Sequence, residues 1–286
     1  MDLIKADGKP LSTFQIARVL CRERVIAVPT LWTNLHLDLL ECSFGRVTYD
    51  QFAEKEEGPA TLLLVFASFA YFNTWRRSHS VAKLICKDKD IYLDDKVCLF
   101  FEGKIAEVLP CTTFHVQPVA NHARSPPFAA YADLERLQRI RERYFEPMQG
   151  ASLCDIKLKK ATPEVPMQDP YIAAILIAMA QEQQASAFEV YPGPYVMQMT
   201  VWRPPMAVTQ NVADKSKFRP KLVVTKPDSF CVYLYRTNIN STFLCKFSDP
   251  GVQPPHATSM EIQISAIPLK PLCTLGRRLL ELVLPE

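Results

Sequence analysis

The sequence predicts an α+β protein with a mixed or mostly antiparallel sheet and two fully apolar core helices. In both helices, Glu56–Arg77 and Asp169–Gln184, acidic residues precede a proline and apolar residues then occupy every face. Short runs of β-branched and aromatic residues lie between and after these helices, as is typical of strands. A proline-rich stretch divides the chain into predicted parts 1–126 and 127–286, or the whole chain forms a single domain.

Capping residues and apolar spacing predict the elements of the N-terminal part. Ser12 and Thr13 can cap a short helix. The segment Arg24–Trp32 predicts a strand that stops at Pro29, and the overlapping segment Leu31–Glu41 has helical spacing. The later strands predicted in this part are Val81–Lys87, Asp90–Leu93 and Lys96–Val108.

The apolar helix of the N-terminal part also admits a membrane alternative. The uncharged span Gly58–Trp75 has 18 residues, the low edge of what crosses a bilayer. Its fully apolar portion is shorter, Ala60–Phe72, and polar residues follow it. We therefore expect a core helix, and a membrane-anchored accessory protein is the alternative.

The C-terminal part begins with an amphipathic helix. In Tyr131–Met148, an apolar residue recurs every three or four positions. Asp169 is the predicted N-cap of the second apolar helix, and Leu272–Leu284 predicts a short terminal helix. The strands predicted between these helices are Tyr195–Trp202, Lys221–Thr225, Ser229–Thr237, Ser241–Phe247 and Glu261–Ile267.

Composition excludes several functional classes. The net charge of +3 is too small to support nucleic acid or an anionic membrane as the partner. Only 8 glycines occur, and the glycine-rich loops that bind nucleotide phosphates are absent from the sequence. The nine cysteines form no C-x-x-C pair and the N-terminus has no apolar signal region, so we expect a cytoplasmic or nuclear protein without a bound cofactor.

One motif resembles the catalytic hairpin of PD-(D/E)XK nucleases. An apolar run leads into Glu102-Gly103-Lys104, the order of acid, any residue and lysine. If a three-residue turn at Asp94–Lys96 joins two paired strands, Asp88 lies opposite Glu102. Asp88 and Glu102 would then bind Mg²⁺ while Lys104 orients the attacking water. A two-residue turn would instead pair Lys87 with Glu102 and leave an ordinary hairpin, which we favour.

Two basic segments are candidate binding surfaces. Lys215, Lys217, Arg219 and Lys221 alternate along the chain, so an extended backbone would project all four from one side. They would bind a polyanion or an acidic partner, or protect an exposed sheet edge. Three arginines of the Tyr131–Met148 helix also share a face, but four acidic residues on that helix favour a solvated face with ion pairs.

The second half of the chain resembles uncharacterised intracellular fungal proteins. The resemblance rests on Asp169–Gln181 (DPYIAAILIAMAQ), Val223–Val224, Tyr233–Tyr235 and Ser241–Phe247 (STFLCKF). These motifs are of the kind that forms a hydrophobic core. The resemblance therefore implies a fungal source and an intracellular compartment, but it implies no catalytic activity.

The sequence as a whole favours a soluble intracellular protein that binds another macromolecule or a small ligand without catalysis. A metal-dependent nuclease built on Asp88, Glu102 and Lys104, or a degenerate relative of one, is the alternative enzyme hypothesis.

Overall fold

The computed structural model of the chain describes residues 5–6, 9–49, 74–86, 91–117, 125–146, 151–187, 217–227 and 229–284. The helices are α1 Thr13–Val19, α2 Asn34–Leu40, α3 Thr74–Ile85, α4 Leu134–Phe145, α5 Ala151–Ala161, α6 Pro170–Ala187, α7 Ser241–Ser248 and α8 Leu272–Val283. The strands are β1 Lys5–Ala6, β2 Lys9–Pro10, β3 Cys42–Tyr49, β4 Ile91–Asp94, β5 Val97–Phe101, β6 Lys104–Leu109, β7 Thr112–Val116, β8 Pro127–Asp133, β9 Lys217–Phe218, β10 Lys221–Thr225, β11 Cys231–Thr237, β12 Ile239–Asn240 and β13 Met260–Pro268.

The main sheet has seven strands in the order β3-β13-β11-β10-β8-β7-β4. The pairs β3–β13 and β8–β10 are parallel, and the other four pairs are antiparallel. The expected α+β class with a mixed sheet is therefore confirmed. Strands from both sides of residue 126 belong to this sheet, so the two predicted parts share one core.

Each face of the main sheet buries a separate apolar cluster. In β8, Ala130 and Ala132 belong to the cluster around α6, whereas Ala129 and Tyr131 belong to the cluster around α3 and α8. This alternation is the two-residue period of a strand that is covered on both faces. The sheet is thus the middle layer, with α6 on one side and α3 with α8 on the other.

Helix α6 is the predicted apolar core helix that the structure describes. Every residue from Pro170 to Glu182 is buried. The Asp169 carboxylate accepts the backbone N–H of Tyr171 at 2.8 Å, as expected of an N-cap, and Pro170 fits the first helical position.

The other apolar helix was expected in Glu56–Arg77. Residues 50–73 lie outside the described residues. The core helix expected over Gly58–Trp75, and the membrane span as its alternative, therefore stay predictions. Among the helices that the structure describes, none has the length and apolar character needed to cross a membrane.

Three predicted strands are wrong, the predicted strand Lys96–Val108 is two strands, β5 and β6, and Tyr195–Trp202 lies outside the described residues. Val81–Lys87 is mostly helical because Val81, Ala82 and Ile85 have the spacing of one helix face and are buried together in α3. Ser241–Phe247 is helix α7, since the side-chain Oδ1 of Asn240 accepts the backbone N–H of Phe243 at 2.7 Å and caps the helix. Arg24–Trp32 contains only the short 3-10 turn Pro29–Leu31.

Candidate functional site

The hairpin that carries Glu102 is paired differently from the expectation. Strand β4 pairs with β7, and β5 pairs with β6 across a turn at Glu102 and Gly103. Both turn residues have positive φ, 51° and 73°, as in a type I′ turn. Asp94–Lys96 therefore does not connect paired strands, and Glu102 and Lys104 are not neighbours along one strand face.

The nuclease trio is only partly described. Glu102 and Lys104 are exposed, and the Glu102 N–H donates to the carbonyl of Phe247 at 2.8 Å. Asp88 lies outside the described residues, so the Asp88–Glu102–Lys104 site remains a prediction. Within the described part of the chain, no group of three His, Cys, Asp or Glu residues is arranged to hold a metal ion.

The turn gives a first testable prediction. Positive φ is unfavourable for a glutamate and readily adopted by asparagine, so Glu102→Asn should raise the free energy of unfolding by about 0.5–1 kcal/mol. Urea unfolding monitored by circular dichroism measures the change. Glu102→Gln is the matched control because it removes the same charge without favouring positive φ. An asparagine variant no more stable than the glutamine variant would contradict the turn assignment.

The predicted cationic strip is distributed over two sheets. Lys215 lies outside the described residues, and Lys217 and Arg219 are exposed, with Phe218 and Pro220 buried beside them. Lys221 begins β10 of the main sheet, and its Nζ donates to the carbonyl of Leu284 at 2.7 Å. At least this one lysine therefore has a structural role, and binding by the strip stays a prediction.

An apolar cavity of about 240 Å³ lies between the N-terminal segment and the body of the protein. Its walls come from the beginning of the chain up to α2, from the β5–β6 hairpin and from α7. The apolar side chains that line it are Pro10, Leu11, Ile16, Val25, Ile26, Ala27, Val28, Leu39, Leu40, Leu99, Phe101, Ala106, Phe247 and Pro254.

Hydrogen bonds fasten the N-terminal wall to the rest of the molecule. The Phe14 N–H donates to the carbonyl of Pro250 at 3.0 Å, and the Thr13 hydroxyl donates to the carbonyl of Lys246 at 3.0 Å. The Thr30 N–H donates to the Glu107 carboxylate of the hairpin at 2.9 Å. Because these bonds link segments far apart in sequence, the cavity is a preformed feature of the fold.

Five side chains in the lining carry polar atoms, namely Thr13, Trp32, His36, Glu41 and Lys246, and each has an internal partner. The Lys246 ammonium donates to the carbonyls of Leu40 and Thr258 at 2.9 and 2.7 Å and to the Glu41 carboxylate at 3.0 Å. An ammonium has three N–H donors, so this lysine is saturated. Burial lowers its pKa, but it offers no lone pair for nucleophilic attack.

His36 is held in its neutral form in the cavity wall. Its Nδ1 accepts the Thr33 N–H at 3.0 Å, so its Nε2 carries the proton and donates to the carbonyl of Arg24 at 2.9 Å. The ring also stacks on Trp32 with centroids 6.1 Å apart. Burial is the largest cause that lowers the pKa of His36 below its ordinary value of 6.5.

This pKa shift predicts a pH dependence of stability. Below about pH 6.5 the unfolded chain protonates His36 while the folded protein does not, so stability falls as the pH decreases through that range. His36→Gln keeps an acceptor for the Thr33 N–H and removes the titration. Urea midpoints at about pH 7.5 and about pH 5.5 should therefore fall less in the variant than in the wild type. An equal fall of the urea midpoint in the wild type and the variant would show that His36 is not buried as a neutral ring.

Two ion-pair clusters in the core are structural connections. Arg141 of α4 makes a bidentate pair with Asp169, the N-cap of α6, and both are buried. Arg77 of α3 pairs with Asp133 at 2.6 Å and with Glu135, and the Asp133 carboxylate also accepts the Thr225 hydroxyl at 2.8 Å. These clusters fix α3, α4 and α6 relative to the sheet.

A cysteine acting as a catalytic nucleophile finds no support among the described residues. None of the nine cysteines, all of which the structure describes, forms a disulfide bond, and burial is the largest cause wherever a cysteine pKa is shifted. It raises the pKa of Cys42 to about 12, so that thiol remains protonated and a weak nucleophile at neutral pH.

The apolar cavity was not predicted from the sequence, because its walls come from segments whose contacts only the fold establishes. The chain matches no protein-family model, and it has no significant match among curated proteins. The geometry of the described residues is therefore the basis for a functional conclusion.

Proposed function

We propose that this protein is a non-catalytic binding protein that holds a small apolar molecule in the cavity beneath its N-terminal segment. The observation that carries this proposal is the mostly apolar lining, in which each of the five polar side chains already has an internal hydrogen-bond partner. A charged or strongly polar ligand would lose its hydration on entering a cavity whose lining is mostly apolar. An apolar ligand gains free energy by leaving water, and it gives up no hydrogen bonds on entering the cavity.

The cavity volume sets the size of the ligand. An apolar cavity of about 150 Å³ in another protein is large enough to bind benzene. At about 240 Å³, this cavity accommodates a larger group, such as a medium-length alkyl chain or a bicyclic aromatic ring. Such a ligand would contact Leu11, Ile16, Leu39 and Leu99 in the lining.

Binding without catalysis agrees with the chemistry of the cavity wall. Lys246 and His36, which could act as nucleophile or general base, both use their nitrogens in internal hydrogen bonds. The nine cysteines, none of them in a disulfide bond, support the proposed cytoplasmic or nuclear location, where thiols stay reduced. Another macromolecule as the partner is the alternative, and failure of the wild type to bind an apolar molecule would favour it.

Titration calorimetry with 1-octanol tests this proposal. Ala106→Phe places a ring in the cavity and should weaken octanol binding by about tenfold or more, which corresponds to about 1.4 kcal/mol. Val108→Phe is the matched control, because it introduces the same ring at an exposed position of the same strand, β6. Binding by the wild type and the control, but not by Ala106→Phe, supports the cavity. No binding by the wild type up to the solubility limit of octanol, or equal binding by all three proteins, would refute it.

A further inference from the structure

A second concave surface lies between α3 and α4, beside the sheet edge formed by β7 and β4. This cleft has a volume of about 790 Å³ and shares no lining residue with the apolar cavity. Arg136, Arg139 and Arg143 of α4 face it, because residues three, four and seven positions apart lie on one side of a helix. Asp95 is the one acidic residue among its lining residues, so three guanidinium groups oppose one carboxylate and the formal charge is +2.

Three of the four acidic residues that the sequence assigned to this helix have side-chain partners other than Arg136 and Arg143. Asp133 is buried and pairs with Arg77 while capping the Arg136 N–H at 3.2 Å. Glu142 accepts the side-chain amide of Gln138 at 3.2 Å. Glu135 alone pairs with an arginine of the cleft, Arg139. Within the described residues, neither Arg136 nor Arg143 forms an ion pair.

Arg139 is held in place by a chain of ion pairs. Buried Arg77 binds one oxygen of the Glu135 carboxylate, and the other oxygen accepts from Arg139. The hydrogen bond from Arg77 is the largest cause that lowers the pKa of Glu135, so this carboxylate stays ionised. A guanidinium group held in this way loses less side-chain entropy when it binds a ligand.

We propose that the cleft between α3 and α4 binds a phosphorylated small molecule through Arg136, Arg139 and Arg143. Guanidinium groups recognise phosphoryl oxygens through paired, charge-assisted hydrogen bonds, and three of them on one helix face match a group with several anionic oxygens. Leu93 and Ile140 in the same lining provide apolar contact for the organic part of the ligand.

The size of the cleft favours an organic phosphate over the inorganic ion. A water molecule takes about 30 Å³ of the liquid, and a single tetrahedral anion is only a few times larger. A cleft of about 790 Å³ has room for a sugar or nucleoside joined to the phosphoryl group. The candidate ligands share the phosphoryl group and differ in their organic part.

Calorimetry and thermal unfolding with pyrophosphate, glucose 6-phosphate and ADP test this proposal, with glucose and adenosine as uncharged counterparts. We expect glucose 6-phosphate or ADP to bind the wild type more tightly than pyrophosphate and to raise its melting temperature, and neither uncharged counterpart to do so. Arg136→Gln/Arg143→Gln should weaken binding by about tenfold or more, because each arginine donates charge-assisted hydrogen bonds. Arg143→Glu, at an exposed position, should weaken it similarly with little risk to folding.

Arg18→Gln/Arg277→Gln is the matched control, since it removes two exposed arginines outside the cleft and changes the net charge equally. The control should bind like the wild type. The compound with the highest affinity identifies the class of ligand. Failure of both glucose 6-phosphate and ADP to bind the wild type would overturn the proposal, as would equal affinity in the cleft variants and the control, or equal binding of ADP and adenosine. Octanol binding in the apolar cavity is independent of each of these outcomes.

Discussion

Replacing Arg141 with methionine should lower the free energy of unfolding by about 3–5 kcal/mol. Arg141 is 1% exposed, and its guanidinium donates to both carboxylate oxygens of Asp169, one of them at 2.7 Å. Methionine fills a similar volume but leaves the Asp169 carboxylate charged in the core without its partner. Domains of this kind have about 5–15 kcal/mol of stability in total, so the variant loses a large share of it.

Two further variants define the origin of that loss. Arg141→Met/Asp169→Asn removes both charges and keeps an oxygen that can cap the Tyr171 N–H, so it should recover much of the stability. Arg277→Met is the exposed control, since Arg277 is 71% exposed and lies 3.9 Å from Glu281, and its effect should stay within about 0.5 kcal/mol. Urea midpoints for the four proteins give the comparison. An Arg141→Met variant as stable as Arg277→Met would mean that the buried pair is not formed.

Truncating Leu176 in the middle of α6 should cost about 2–5 kcal/mol. This side chain is 0% exposed, and α6 packs against the main sheet on one side and against α2, α7 and the β5–β6 hairpin on its others. Leu176→Ala removes apolar contacts and opens a cavity that neighbours on every side cannot easily fill.

The matched control is the same substitution on an exposed helix position. Leu153 of α5 is 47% exposed, so Leu153→Ala should change the unfolding free energy by no more than about 0.5 kcal/mol. Chemical unfolding of both variants, followed by circular dichroism, measures the difference. Similar losses in the two variants would contradict the position of α6 at the centre of the protein.

Helix α6 illustrates what the sequence could predict. An acidic N-cap, a proline at the first helical position and ten consecutive apolar residues, Tyr171–Ala180, allow only a buried helix of this length. Strands β10 and β11 were confirmed as short runs rich in β-branched and aromatic residues, and β13 was confirmed through the alternation of polar and apolar residues in Glu261–Ile267.

Helix α7 was wrongly predicted as a strand. Its residues are aromatic, β-branched and apolar, which favours a strand over a run of seven or eight residues. The signal for a helix was present in Asn240, an N-cap residue, and in the helical spacing of the buried residues Phe243, Leu244 and Phe247.

The hairpin and the apolar cavity depend on tertiary contacts that a single sequence does not display. Glu102 adopts positive φ within a turn, for which the sequence gives little sign because glutamate is not a typical turn residue. The cavity lies where α1, α2, the hairpin and α7 meet, and its lining residues extend from Pro10 to Pro254. Residue types alone could not place these segments side by side.

Methyl-resolved NMR during an octanol titration tests the central claim most directly. We expect the largest chemical-shift changes at the methyl groups of Leu11, Ile16, Leu39 and Leu99, which line the cavity. The exposed methyl groups of Leu153 and Ile156 on α5 should not respond. Unchanged cavity methyl signals, or changes of equal size at Leu153 and Ile156, would contradict an apolar ligand site beneath the N-terminal segment.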